Sequence, residues 1–250
     1  MFGQPRRILL EACVSSVKDA VAAVEQGADR LELNCALELG GLTPTAGLLQ
    51  QVKEAVDVPV MAMVRPRAGG FCYSISERRL MRREALALLQ DGADGIVVGS
   101  ITQRGEIDLE LIRGLKVACE SRQLVFHMAF DSLSDRGGAI EELVRCGVTR
   151  VLTAGGCKTA IQGSPRIAQL QERARGRIEI LPGGGVTAEH VRSLIEQTGC
   201  WQVHGSFKSL MQDPAGAVCN AVYPALDVGR IRAVRAELDR ISLGNPVSGE

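Results

Sequence analysis

Between Ile8 and Ser206 a short apolar run closing on a polar or glycine-rich tip recurs eight times, and each time it leads into a stretch with helical spacing and a helix-start signal. That rhythm predicts an α/β chain folded as a single (β/α)8 TIM barrel. Strands are expected near 8–13, 30–34, 59–64, 94–98, 123–128, 150–153, 178–181 and 201–205. Pro59-Val60-Met61-Ala62-Met63-Val64 and Leu124-Val125-Phe126 are apolar throughout, as befits parallel strands covered on both faces. Between strands, Thr43-Pro44 and Ser164-Pro165 each offer a capping hydroxyl followed by a proline at the first helical position. Ser74-Ile75-Ser76-Glu77 matches a capping box, and Asp108, Ser134 and Thr187 are candidate caps. A last helix is expected over Val228 to Asp239. At 250 residues the chain has the usual size of one barrel, so one domain is expected over 1–250, with a frayed tail from about 243.

Composition closes off several functions. A formal net charge of zero without any Lys/Arg-rich run, together with only 3% aromatic residues, argues against a nucleic-acid partner. No apolar stretch approaches the roughly 18 residues of a membrane span. The first seven residues lack the apolar region of a signal peptide, so a cytoplasmic protein is expected. The 8 cysteines are scattered with no C-x-x-C pair, which reads as reduced thiols rather than a disulfide scaffold or structural zinc. Cys119 and Cys146 fall in helical stretches and are expected to pack as small hydrophobes.

Barrels carry their chemistry at the carboxyl ends of the strands. The tips are Glu11 and Cys13, Glu32 and Asn34, Arg65 and Arg67, Gly99, His127 and Asp131, Thr153, Gly183 to Gly185, and His204 with Ser206. Side chains two apart on a strand share a face, so Glu11 goes with Cys13 and Glu32 with Asn34. Neighbouring strands lie about 4.8 Å apart, so inward Glu11 and Glu32 repel unless cations sit beside them, and Arg65 and Arg67 are the cations at hand. These four form either a packed ion network or a ligand pocket. Gly183-Gly184-Gly185 after strand seven, with His204 and Ser206 after strand eight, is either an anion cradle or a tight turn. His127 and Asp131, four apart on an extended face, are a candidate acid/base and partner, a metal ligand with a supporting carboxylate, or hydrogen-bonded structure. His190 reads as a solvated residue inside the seventh helix.

Glu11-Ala12-Cys13, Gly27-Ala28-Asp29-Arg30-Leu31-Glu32-Leu33, Gly40-Gly41-Leu42-Thr43-Pro44, Arg65-Pro66-Arg67, Phe71-Cys72-Tyr73-Ser74, the Phe-His-x-Ala-Phe-Asp run at 126–131, Leu152-Thr153 and Pro182 to Thr187 together resemble the CutC copper-homeostasis family nearly up to Ser206. The resemblance implies a cytoplasmic, often oligomeric (β/α)8 barrel with a copper-handling function and copper binding; it supplies no established reaction. The family reads Glu-x-Cys on both of the first two strands, two inward thiols suited to Cu(I). Here Asn34 holds the second position and the thiol has moved to Cys35, which strand parity turns away from Cys13. Met128 replaces the family's arginine, on the face opposite His127, and Gly70 its aspartate.

Two functions follow. In the first, Cys13 binds Cu(I), with Cys35 or His127 as partner, in a homo-oligomer. In the second, whether any reaction is catalysed being open, a barrel enzyme acts on a small phosphorylated or otherwise anionic substrate. Glu11, Glu32 and Asp131 are then acid/base groups, His127 a proton carrier and Arg65 and Arg67 clamps, while Thr153, Gly183, Gly184, Gly185, His204 and Ser206 hold the substrate. A scaffold without any small-molecule site leaves the charged strand ends unexplained.

Overall fold

Along β1 (Leu9–Val14) the buried side chains alternate between two destinations. Leu10, Ala12 and Val14 join the apolar layer beneath the helices, which leaves Glu11 and Cys13 on the inner face of the sheet. The same split holds in β3 (Val60–Met63), β4 (Gly95–Val98) and β5 (Gln123–Phe126), whose Met61, Met63, Val97 and Val125 form a separate apolar cluster inside the barrel. The computed structural model describes residues 7–213 and 222–244. With β2 (Arg30–Leu33), β6 (Arg150–Thr153), β7 (Glu179–Pro182) and β8 (Gln202–Gly205), these strands form one parallel sheet in sequence order, with β8 beside β1. A single bridge from Gly183 to His204 joins β7 to β8 and completes the barrel. All eight expected strands are present within a few residues of their expected bounds.

Seven helices alternate with the strands: α1 (Val17–Glu25), α2 (Ala46–Ala55), α3 (Ile75–Gln90), α4 (Leu109–Cys119), α5 (Arg136–Arg145), α6 (Ser164–Ala174) and α7 (Val191–Thr198). The Ser74–Glu77 capping box and the Asp108 cap form as expected. The four other caps shift. Thr45, not Thr43, caps α2, because the Thr43 hydroxyl is already committed, accepting from the Arg65 N–H and donating to Glu84. Asp135 displaces Ser134 at α5. α7 starts after a turn in which Thr187 Oγ1 lies 2.9 Å from His190 Nδ1, so His190 precedes the helix instead of sitting inside it. Ser164 is the first residue of α6, with Gly163 before it. Cys119 and Cys146 are buried as expected.

Past β8 the chain adds an antiparallel hairpin, β9 (Lys208–Gln212) with β10 (Val222–Leu226). Pro224 in β10 hides that strand from sequence reading, and a two-stranded ribbon tolerates it because a proline need only lie on a free edge. The final helix, α8 (Val228–Gly244), runs five residues past its expected end; the rest of the expected frayed tail lies outside the described residues.

The barrel is filled from below by a polar layer. Arg30 is ion-paired with Glu11 through Nε, and its Nη2 donates to Gln202 Oε1 at 2.9 Å. Arg150 donates to Glu179 Oε2 at 2.8 Å and to Gln123 Oε1 at 2.9 Å. Gln202 donates in turn to the Ile180 carbonyl at 3.3 Å. The cation paired with Glu11 is therefore Arg30, with the Arg150 charge acting on it from the same layer, and not, as the sequence led us to expect, Arg65 or Arg67. Arg65 uses both Nη atoms on the carbonyls of Leu39, Gly40, Gly41 and Gly69, shaping the loops that follow β2 and β3. Arg67 is 41% exposed, pairs with Glu77 and lies over the Tyr73 ring.

Removing Arg30 strands a buried carboxylate, so Arg30→Met should lower stability by roughly 3–5 kcal/mol. Arg67→Met removes a half-exposed pair at the rim and should move the urea midpoint less than Arg30→Met does. Equal losses in the two variants would contradict this division between a structural floor and a solvated rim.

Candidate functional site

Strand register assembles the site. Cys13 on β1 lies opposite Glu32 on β2, and Glu11 lies opposite His204 on β8. Cys13, Glu32 and His204 each bring a ligand atom within 4.8 Å of the others, and all three are buried. His204 Nδ1 is 2.8 Å from Glu11 Oε1. Asn34 Nδ2 donates to Cys13 Sγ at 3.2 Å and to Glu32 Oε1 at 3.0 Å. Glu32 Oε2 is buried with no protein partner among the described residues.

The electrostatics follow from crowding. Burial alone would raise Glu11, yet the Arg30 charge and the His204 hydrogen bond hold its carboxyl well below the usual carboxylate range. Burial raises Glu32, the Glu11 charge adds to that, and His204 opposes it. Burial, then the charges of Glu32 and Glu11, push the Cys13 thiol well above its ordinary value. For His204 burial disfavours the cation, but Glu32 and Glu11 outweigh it and raise the imidazole.

His127 follows β5 and heads a 3-10 turn over Met128–Ser132. Its Nδ1 accepts from the Ala129 N–H at 3.0 Å, which assigns the ring proton to Nε2, an atom buried without a partner among the described residues. Burial, then the Arg65 charge, push this imidazole down to about 3. Gly99 makes room for the ring: a Cβ there would come within 2.2 Å of His127 Cε1. The turn also corrects the placement of Met128. Strand parity ends at Phe126, and Met128 lines the same cavity as His127 rather than facing away from it.

That cavity, about 140 Å³, is lined by Cys13, Glu32, Asn34, Met63, Arg65, Phe71, His127, Met128, Leu152 and His204. A larger chamber of about 760 Å³ lies over β7 and β8 and shares Met128, Leu152 and His204 with it. Gly184, Gly185 and Ser206 line the chamber, together with Lys208 and Arg230, which sequence reading passed over. Gly183 instead serves the β7–β8 bridge.

Other candidates stand apart. Asp131 and His127 are not partners: Asp131 accepts from the Thr153 hydroxyl and from the backbone N–H groups of Ala154 and Gly156, both at 2.8 Å, and so pins the loop after β6. Cys35 pairs with Leu42 in a short bridge, and its Sγ donates to the Thr43 carbonyl at 3.0 Å, outside the cavity.

Unfolding frees His127 to take up a proton below its ordinary 6.5, whereas the folded group resists protonation down to about 3. Stability from this group is therefore present above that window and lost as pH falls through it, because the unfolded state binds more protons there. His127→Asn keeps an acceptor for the Ala129 N–H and does not titrate. Its stability should decline less steeply on acidification, by up to about 1.4 kcal/mol per pH unit. Parallel pH profiles of urea unfolding for parent and variant would mean that folded His127 keeps its proton.

The CutC family profile matches residues 8–209. A CutC family protein of Treponema denticola is 44% identical over 218 residues, spanning 87% of this chain and 89% of that protein. The human copper homeostasis protein cutC homolog is 42% identical over 207 residues, 83% of this chain and 76% of its own. The CutC crystal structure from Streptococcus agalactiae superposes with a TM-score of 0.76 at 36% identity, covering 80% of this chain and 98% of that one. Phosphoribosylanthranilate isomerase from Pyrococcus furiosus, with a TM-score of 0.55 at 15% identity over 93% of this chain and 99% of its own, shares the barrel fold alone. Matched along its barrel in sequence and in three dimensions, the chain belongs to the CutC family.

Proposed function

We propose that the protein serves copper homeostasis by binding copper as Cu(I) in the deep cavity at the mouth of the barrel. One observation carries this: Cys13, Glu32 and His204 form, among the described residues, the one buried group of three ligand atoms close enough to share an ion. Soft donors suit Cu(I). Cys13 supplies a thiol, and the thioether residues Met63 and Met128 line the same cavity. His204 has the usual arrangement of a ligand imidazole, one ring nitrogen on a carboxylate and the other left for the metal. The unpartnered Glu32 Oε2 fits an atom kept for a ligand. Of the two partners anticipated for Cys13, His127 lines the cavity, whereas Cys35 enters it only if the loop after β2 moves. Asn34 leaves a one-thiol site, its amide donating to sulfur where the family pattern places a second thiol.

The larger chamber favours a second reading, an enzyme acting on a small phosphorylated or otherwise anionic substrate. Glycines 184 and 185, Ser206, Lys208 and Arg230 would bind it, with Glu32 and His127 the acid/base candidates that reach the adjoining cavity. For its setting we propose one barrel domain in the cytoplasm, assembled as a homo-oligomer. Unpaired thiols among the described cysteines favour a reducing compartment. No helix among the described residues is long and apolar enough to cross a membrane. Leu210, Met211, Val222 and Tyr223 expose apolar surface on the hairpin that a second copy would cover.

Anaerobic competition with a chromophoric Cu(I) chelator tests the copper site. Cys13→Ser should weaken Cu(I) binding far more than Cys119→Ser, whose thiol is buried in α4 and raised by burial to about 11. Equal effects would remove Cys13 from the site. Asn34→Cys returns a second sulfur to the face of Cys13 and should tighten Cu(I) binding by roughly tenfold or more, about 1.4 kcal/mol; unchanged affinity would mean that copper is held elsewhere.

A further inference from the structure

The deep cavity and the chamber over β7 and β8 share Met128, Leu152 and His204 in their walls, so the two lie side by side. The chamber end is built for an anion. Gly184 and Gly185 both have positive φ, +99° and +66°, a backbone that glycine adopts without strain and that lets a ligand approach the main chain closely. Among the described residues, the N–H groups of Gly184, Gly185 and Val186 donate to no protein acceptor. Lys208 and Arg230 line the same space; Lys208 Nζ donates to the Leu37 carbonyl at 3.2 Å and Arg230 Nη1 to the Lys208 carbonyl at 3.1 Å, contacts that hold the two cations in place. Two carboxylates are also present. Asp227 accepts from the Gly229 and Arg230 N–H groups through Oδ1 and is ion-paired with the Arg230 side chain through Oδ2 at 3.4 Å, which leaves Lys208 the cation without a carboxylate among the described lining residues, and Glu189 is exposed.

The deep end is built for a neutral polar group. His127 offers an Nε2–H donor with no protein acceptor, fixed in that tautomer by the Ala129 N–H on Nδ1. Glu32 Oε2 offers an acceptor that is equally unpartnered. Both side chains line one small cavity, and a donor with an acceptor matches a hydroxyl, which both accepts and donates. Buried polar atoms without partners are costly and are seldom left so unless a ligand or water meets them. Around them Phe71, Met63 and Leu152 supply apolar walls suited to a short carbon chain.

We infer that the two cavities form a single site for a short phosphorylated polyol or sugar. Its phosphate lies on the Gly184–Gly185 amides beside Lys208, and its far hydroxyl lies between His127 Nε2 and Glu32 Oε2. The inference rests on the anionic-substrate reading and gives that substrate its chemical class.

Calorimetry on the metal-free full-length protein with two probes, inorganic phosphate and glycerol 3-phosphate, tests it. Both should bind, glycerol 3-phosphate roughly tenfold more tightly. Lys208→Met should weaken both probes by a similar factor. His127→Asn, which retains the Ala129 contact but has no atom at the Nε2 position, should leave phosphate binding intact and erase the preference for glycerol 3-phosphate. If phosphate binds but glycerol 3-phosphate binds no better, or if the preference survives in His127→Asn, the bridging ligand is overturned while the anion site stands. If neither probe binds, the anionic-substrate reading falls with it.

Discussion

Glu11 ties the barrel together. Its carboxylate takes Arg30 on the floor side and His204 on the mouth side, so one charge closes the polar layer below and orients the candidate ligand above. A carboxylate this deeply buried is tolerated only when it is paired and fully hydrogen-bonded. Once Glu11 is fixed, parity puts Cys13 two residues on along the same inward face, and register puts Glu32 beside it. The acidity of the whole cluster follows from that placement. Two carboxylates next to a buried thiol favour its protonated form, and they favour the imidazolium of His204 for the same reason.

Periodicity made the barrel legible, since each strand needs an apolar outer face to meet its helix and the eightfold repeat admits one closure. The tips were legible too, because barrel chemistry sits at strand carboxyl ends. The floor was not, although its signal was present: Arg30, Gln123, Arg150, Glu179 and Gln202 all open their strands. A polar residue at the start of an inward face of a parallel strand is costly to bury alone, so five of them had to be partners. Attention to the tips hid that. Met128 escaped for a different reason. Parity holds only while the chain remains a strand, and the 3-10 turn after His127 cancels it. The hairpin after β8 lay beyond the repeat that guided the reading.

Asn34 shows how a departure from the family pattern acts through local chemistry. The backbone still delivers this side chain to the inward face, where it bonds Cys13 and Glu32. Gly41 packs close to its amide oxygen, with room for no Cβ, so the loop after β2 is fitted to an amide at this position. An amide is a poor ligand for soft copper but a good anchor for a thiol and a carboxylate. Soft atoms are present nearby all the same, since the thioethers of Met63 and Met128 line the cavity wall.

The carboxylates that looked alike in sequence separate once their partners are counted. Glu11 is committed to Arg30 and His204, and Asp131 to Thr153 and two backbone amides, so neither can take on a ligand without abandoning structure. Glu32 has one oxygen on Asn34 and the other on no protein group. The histidines divide in the same way. His190 sits partly exposed against Thr187, away from the cavity. His204 is held by Glu11 and borders both cavities, and His127 is locked through Nδ1 with Nε2 unpartnered. Among these carboxylates and histidines the unpartnered buried atoms are Glu32 Oε2 and His127 Nε2, and both residues line the deep cavity beside His204.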